Sequence, residues 1–225
     1  MIDTAFLVTA FTALFVVIDP VGLTPLFVTL TQGAEPGQRR AIGLRACLIA
    51  FALLTAFAIF GEAVLGFVGI TMPAFRIAGG ALLFLTALDM LFERRAPRRQ
   101  GQVDDSQTDD ATPEDESHDP SVFPLALPLI AGPGAIATVI LLAGQRGDTL
   151  GLVAVIGTVA AVLAVVFAFF LASGLLERAL GKTGINIATR LLGMLLAALS
   201  VQFILDGLKA FGFAAGIAPG IAPGA

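Results

Sequence analysis

The sequence predicts an all-α polytopic membrane protein of six transmembrane helices, arranged as two inverted three-helix repeats with helices 1 and 4 interrupted. Three observations carry that expectation. The 225-residue chain is 57% hydrophobic and only 13% charged, about half the charged share of a soluble domain, and its mean hydropathy is +0.93. The charges cluster, leaving neutral runs of the ~20 residues that a helix needs to cross a hydrocarbon core of about 30 Å. Finally, motifs of the first half recur in the second at a nearly constant offset. The apolar runs are continuous, which argues against a β-barrel with its short alternating segments.

In chain order, spans are placed at 4–30, 41–67, 72–92, 122–145, 149–176 and 186–211. The opening Met1-Ile2-Asp3-Thr4 lacks the positive region of a cleaved signal peptide, so the first span is read as retained. Residues 1–92 form the first repeat and 122–211 the second. Between them, 93–121 starts basic and continues acidic and Ser/Thr/Pro-rich, the composition of a disordered, solvated linker. The tail 212–225 is Gly/Pro-rich and is expected to be flexible.

Lysine and arginine set the orientation. Arg39, Arg40 and Arg45 follow span 1, Arg94, Arg95, Arg98 and Arg99 follow span 3, and Arg178 and Lys182 follow span 5. The other side holds little beyond Arg146 and Lys209. Loop 93–121 is therefore expected in the cytoplasm and both termini outside, in a bacterial-type inner membrane.

Composition narrows the chemistry. Cys47 is the single cysteine and His118 the single histidine, so no disulfide framework, no paired-thiol relay and no His/Cys metal site is expected. No cofactor is implied. The acidic balance, with a pI of about 4.9, and the lack of a basic stripe argue against a nucleic-acid partner. Trp and Tyr are absent, which removes the usual interfacial anchors.

The internal match is ordered. Glu62-Ala63-Val64-Leu65-Gly66 recurs as Glu177-Arg178-Ala179-Leu180-Gly181, and Arg76-Ile77-Ala78-Gly79 as Arg190-Leu191-Leu192-Gly193. Pro20 falls opposite Pro133, the three offsets being 115, 114 and 113 residues. An odd number of spans per repeat forces the copies to insert in opposite orientations. Inverted repeats are a mark of secondary transporters, whose sites lie near the midplane between helices broken at corresponding positions.

Two stretches meet that description. Asp19-Pro20-Val21-Gly22 with Thr24 and Pro25 interrupts span 1, and Pro128 with Gly132-Pro133-Gly134 and Thr138 interrupts span 4. A carboxylate at mid-bilayer costs about 3 kcal/mol on insertion scales, and a helix-interior proline costs about as much. Irregular backbone at that depth is tolerated only inside protein or along a wet cavity. These residues are candidate solute-binding groups, the half-helix N-termini after Pro20 and Pro133 suiting an anionic group. Asp19 is also placed to cap the second half-helix; a packing kink is the alternative. Arg76 and Arg190 are candidate gates, with Glu62, Glu177, Asp19 or the solute as partners, against interfacial snorkelling as the bland reading. Gln202 and Asp206 share one helix face, as a polar lining or as a structural bond.

Asp19-Pro20-Val21-Gly22 with Pro25, Phe75-Arg76-Ile77-Ala78-Gly79-Gly80, Pro124-Leu125-Ala126-Leu127-Pro128 through Ala131-Gly132-Pro133-Gly134, and Gln202-Phe203-Ile204 with Asp206-Gly207 resemble the MarC family of integral membrane proteins. The resemblance covers nearly the whole chain outside 93–121 and the tail. It implies a six-helix inner-membrane protein, once linked by name to multiple antibiotic resistance and related to small-molecule exporters, some relatives being described as transporters of small neutral amino acids. The family commonly has Asn where this chain has Asp19, which argues against an obligatory proton carrier at that position.

The expected function is a secondary transporter that moves a small polar solute, a neutral amino acid among the candidates, by alternating access, with H+ or Na+ as the coupling ion. Its partners are the lipid bilayer and the solute, and a homo-oligomer is left open. The alternatives are a non-transporting regulatory or assembly factor and, last, an intramembrane enzyme. Only Asp19 with Asp206 offers a facing carboxylate pair, and the Gly-x-Gly-Asp motif of intramembrane aspartyl proteases is missing; no enzyme is expected.

Overall fold

The computed structural model describes residues 3–92, 99 and 119–212, and those residues contain helices and no strand. In chain order they form α1 (Thr4–Ile18), α2 (Pro20–Leu30), α3 (Pro36–Val68), α4 (Met72–Leu91), α5 (Ser121–Ile130), α6 (Pro133–Arg146), α7 (Thr149–Leu171) and α8 (Ser173–Ala210). Five helices or helix pairs are long and apolar enough to cross a membrane: Thr4–Leu30, α3, α4, α7 and Thr183–Ala210. The pair α5 and α6, bent by 58° at their junction, brings the count to six when it is taken as one broken span. The other five lie in the predicted order. Most of 93–121 and the tail from 213 onward lie outside the described residues.

Local chemistry explains the ends. Asp3 Oδ1 accepts from Ala5 N–H at 3.0 Å, and Asp148 Oδ1 accepts from Gly151 N–H at 2.9 Å, each a side-chain cap on an orphan donor. The Gly151 N–H and the nearby Arg146 hold the exposed Asp148 carboxyl below the usual carboxylate range. Helix α3 ends in left-handed Gly69, with φ 82°, and Ile70 N–H closes on Leu65 C=O at 2.8 Å, the glycine-stop arrangement that satisfies a terminal carbonyl. Within α8, Gly181 at φ 58° separates a short leading helix from the span proper.

Helix α5 is irregular for a reason readable in its residues. Phe123 and Leu127 are extended, at φ −127° and −126°, and each precedes a proline, a position that disfavours the helical region. Its turns are closed by wide bonds, Leu125 N–H to Pro120 C=O at 3.4 Å and Ala131 N–H to Ala126 C=O at 3.0 Å.

The packing has a pattern. Helix α4 lies along α8, and α3 crosses α7. The pair α1–α2 packs on α7 and α8, while α5–α6 packs on α3 and α4. The core runs through Leu14, Ile18, Leu23 and Phe27 to Leu141, Val155 and Val162. By contrast, Phe67 is 93% exposed, and Leu48, Phe60 and Val64 of α3 also point outward. Such apolar exposure along one helix face marks lipid contact rather than an aqueous surface.

Candidate functional site

The first interruption is one residue wide. Asp19 adopts the left-handed conformation, φ 59° and ψ 69°, and so both ends α1 and starts α2. Its N–H closes α1 onto Phe15 C=O at 2.9 Å, and its Oδ1 accepts from Gly22 N–H at 3.0 Å. Aspartate is among the few non-glycine residues that tolerate this conformation. Pro20 follows at the first helical position, where its missing N–H costs nothing. A β-carbon on Gly22 would overlap the Asp19 carboxylate, so glycine is required there. The expected cap is present, but the expected open N-terminus after Pro20 is not: Asp19's own carboxylate occupies it.

The second interruption is open. Gly132 precedes α6 without a side-chain cap, and a β-carbon there would lie 2.6 Å from Pro128 C=O. The two breaks meet, since a β-carbon on Gly134 would sit 3.2 Å from Val17 Cγ1. Beside the second break lies a cavity of about 230 Å³. Pro128, Gly132, Pro133 and Gly134 line it, together with Val17 of α1 and Leu82, Thr86 and Asp89 of α4. Deeper in each half-helix, Thr24 Oγ1 donates to Pro20 C=O at 2.8 Å, and Thr138 Oγ1 donates to Gly134 C=O at 2.7 Å. Both threonines are fully buried. Pro20, Gly22, Thr24 and Pro25 do not line the cavity, and Pro25, expected to interrupt the span, lies inside α2 without breaking it.

Arg99 supplies the main surprise. It belongs to the stretch expected to be a solvated linker, yet it is 8% exposed and lines the cavity. Its Nη1 stands 3.6 Å from Asp19 Oδ2, and its Nη2 donates to Ile18 C=O at 3.2 Å. The helix break frees that carbonyl, and the carboxylate balances the cation. Four arginines beside an acidic run read as an interfacial cluster, and nothing in that pattern singles out one of them for burial. Thr86 was also missed, although Leu82, Thr86 and Asp89 recur at the spacing of one helix face.

The predicted gates are placed differently from one another. Arg76 is half-buried at the start of α4, and its Nη2 approaches Gly144 C=O at 3.5 Å while its Nε is buried without a partner. A backbone carbonyl, not a carboxylate, faces it. Arg190 is exposed on α8, and Glu62 is exposed on α3 and pairs with neither arginine. The side chain of Glu177 lies outside the described residues. Gln202 Nε2 donates to Asp206 Oδ1 at 2.9 Å, and Lys209 Nζ lies 3.8 Å from the same oxygen. That bond runs within α8, and Asp206 does not meet Asp19. Among the described residues, no cluster of three metal-ligating side chains occurs.

The comparisons with known proteins extend over this whole arrangement. The family described as "MarC family integral membrane protein" matches residues 4–211. The UPF0056 membrane protein YvbG of Bacillus subtilis (strain 168) is 38% identical over 205 residues, 91% of this chain and 95% of the relative. A UPF0056 membrane protein of Aquifex aeolicus (strain VF5) is 38% identical over 202 residues, 90% of this chain and 92% of its own. The UPF0056 inner membrane protein YhgN of Escherichia coli (strain K12) is 34% identical over 205 residues, 90% and 96% of the two chains. No solved structure matches the chain. With both interruptions and the candidate spans inside the matched range, the chain belongs to the MarC family of integral membrane proteins.

Proposed function

We propose that this protein is an inner-membrane secondary transporter that moves a small polar solute by alternating access, with the cavity beside the second helix break as its site. The observation that carries the reading is that cavity, lined by the second interruption together with Val17, which stands two residues before the first. An uncapped helix N-terminus, which favours an anionic group, faces the cavity from α6. Asp89 and Thr86 face it from α4, and carboxylates inside membranes mark ion pathways. A volume of about 230 Å³ is below the ~300–1,000 Å³ of drug-sized pockets, which favours a small solute such as a neutral amino acid. H+ or Na+ is the coupling ion. The termini lie outside and the loop between α4 and α5, apart from the buried Arg99, in the cytoplasm, by the distribution of Lys and Arg.

The inverted repeat belongs to this proposal. It is supported by the way packing exchanges between halves, α1–α2 against α7 and α8 as α5–α6 against α3 and α4. The pairing of Thr24 with Thr138, each bonded to the carbonyl four residues earlier, supports it as well. Two such halves can rock around a fixed central site.

Reconstituted protein is expected to take up a labelled solute from a panel of small polar compounds when a proton or sodium gradient is imposed. Gly134→Leu should lower that uptake by about tenfold, the effect of losing ~1.4 kcal/mol of binding. Its side chain enters the space beside Val17 Cγ1 and Leu83 Cδ2, at 3.2 and 3.5 Å from the β-carbon, and the melting temperature of the variant separates lost binding from a lost fold. No flux and no binding across the panel would sink the transporter reading. Deleting 101–116, which spares Arg99 and Asp119, should leave uptake intact. A regulatory factor that docks through this loop would instead lose its role.

A further inference from the structure

A second pocket lies away from the central cavity, where the α2–α3 and α7–α8 connections meet at one end of the spans. It has a volume of about 320 Å³ and is lined by Arg39, Arg40, Ser173 and Gly174 on its polar side and by Phe167 and Leu171 on its apolar side. Arg39 is held in place there. Its guanidinium lies over the Phe27 ring at 5.2 Å, Phe27 stacks on Phe170 at 4.2 Å, and Nη2 donates to Ser173 Oγ at 2.8 Å. Ser173 is itself 2% exposed.

Among the described residues, no carboxylate balances the positive charge in this pocket. Arg39 Nε is buried with no hydrogen-bond partner, and a guanidinium offers five N–H donors in all. Among the described residues, no carboxylate lies within ion-pair distance of Arg39 or Arg40. The first turn of α8, to which Ser173 and Gly174 belong, has no side-chain cap and adds the positive end of a helix dipole. The connection between α6 and α7 shows the contrast. There Arg146 Nε is 3.4 Å from Asp148 Oδ1, so that cation is neutralised by its own chain.

We infer that this pocket binds the phosphate of an anionic phospholipid, with the first part of the acyl chain against Phe167 and Leu171. Phosphate matches the fork of an arginine and the donors of a helix start. Basic pockets between spans are a known mode of headgroup capture. The apolar wall beside the cations favours a lipid over free phosphate, because it leaves one side of the pocket with nothing polar to offer a solvated ion.

The test uses the full chain in a neutral detergent with phosphatidylglycerol, phosphatidylcholine or inorganic phosphate added. Retained lipid is read by native mass spectrometry, and thermal stability by a thiol-reactive dye at Cys47, the buried single cysteine. Phosphatidylglycerol should be retained and should raise the melting temperature, and phosphatidylcholine should do neither. Arg39→Gln and Arg40→Gln should each weaken retention about fivefold. Arg146→Gln should leave it unchanged. Arg40 is exposed and makes no bond that folding needs, so its variant keeps the test informative if Arg39→Gln misfolds. Equal retention of the two lipids would overturn the inference, and so would unchanged retention in the Arg40 variant. Full stabilisation by millimolar inorganic phosphate would assign the pocket to the free ion and overturn the lipid.

Discussion

Asp19→Ala is expected to lower thermal stability by on the order of 10 °C and to abolish solute flux, whereas Asp19→Asn is expected to lose a smaller part of that stability. The reason lies in the three roles this side chain combines. It caps α2 through Gly22 N–H, and loss of such a cap costs about 1 kcal/mol. It tolerates a φ of 59°, where an alanine pays roughly 1 kcal/mol more. It also faces Arg99 at 3.6 Å, with side-chain exposures of 1% and 9%, and removing one member of a buried pair costs about 3–5 kcal/mol by stranding the other. Asparagine keeps the first two roles and loses only the third. Unfolding is best followed through Cys47, since the chain has no Trp or Tyr to report. Arg99→Ala should be costly in the wild-type background and much less so beside Asp19→Asn, the non-additivity of directly coupled groups. If Asp19→Ala melts with the wild type, the pair contributes nothing and Arg99 is not a structural part of the site.

The two interruptions differ in how far they could be read from sequence. Proline and glycine fix where a helix breaks, because their backbone limits are local, and both breaks lie where those residues predict. What each break presents depends on contacts from far along the chain. Asp19 folds back onto its own half-helix and so closes one N-terminus, while Gly132 has no side chain with which to close the other. The first outcome rests on a rotamer and on a cation that arrives from 80 residues away. The extended backbone at Phe123 and Leu127 was legible in principle, since each stands before a proline, but a hydropathy reading passes over it. The spans themselves were legible because lipid imposes one rule on every segment. Pairings between polar residues were legible only within a helix, as with Gln202 and Asp206, where spacing alone decides them.

Gly80→Leu is expected to prevent assembly of the helical bundle, and Gly80→Ala to destabilise it by about 1–3 kcal/mol, while Gly79→Ala stays close to wild type. The glycines are adjacent but meet different things. A β-carbon on Gly80 would lie 2.8 Å from Ser200 C=O and 2.7 Å from Ile204 Cγ1 of α8. The backbone carbonyl cannot rotate aside, so the helices must separate. A β-carbon on Gly79 would meet only the end of Leu141, at 3.0 Å, which can change rotamer. Small residues drive close helix approach in membranes, where no hydrophobic force between helices exists to compensate for a lost fit. The seam is reinforced at Gly193, whose β-carbon would lie 2.9 Å from Met90 Cβ, and at Gly207, 2.9 Å from Pro73 C=O. Size-exclusion chromatography and melting of the three variants separate the cases, and a well-folded Gly80→Leu protein would refute the account. The consequence reaches function because α4 carries Leu82, Thr86 and Asp89 into the central cavity. Gly80→Ala should therefore depress flux by more than its loss of stability explains, since any outward shift of α4 moves those three side chains together.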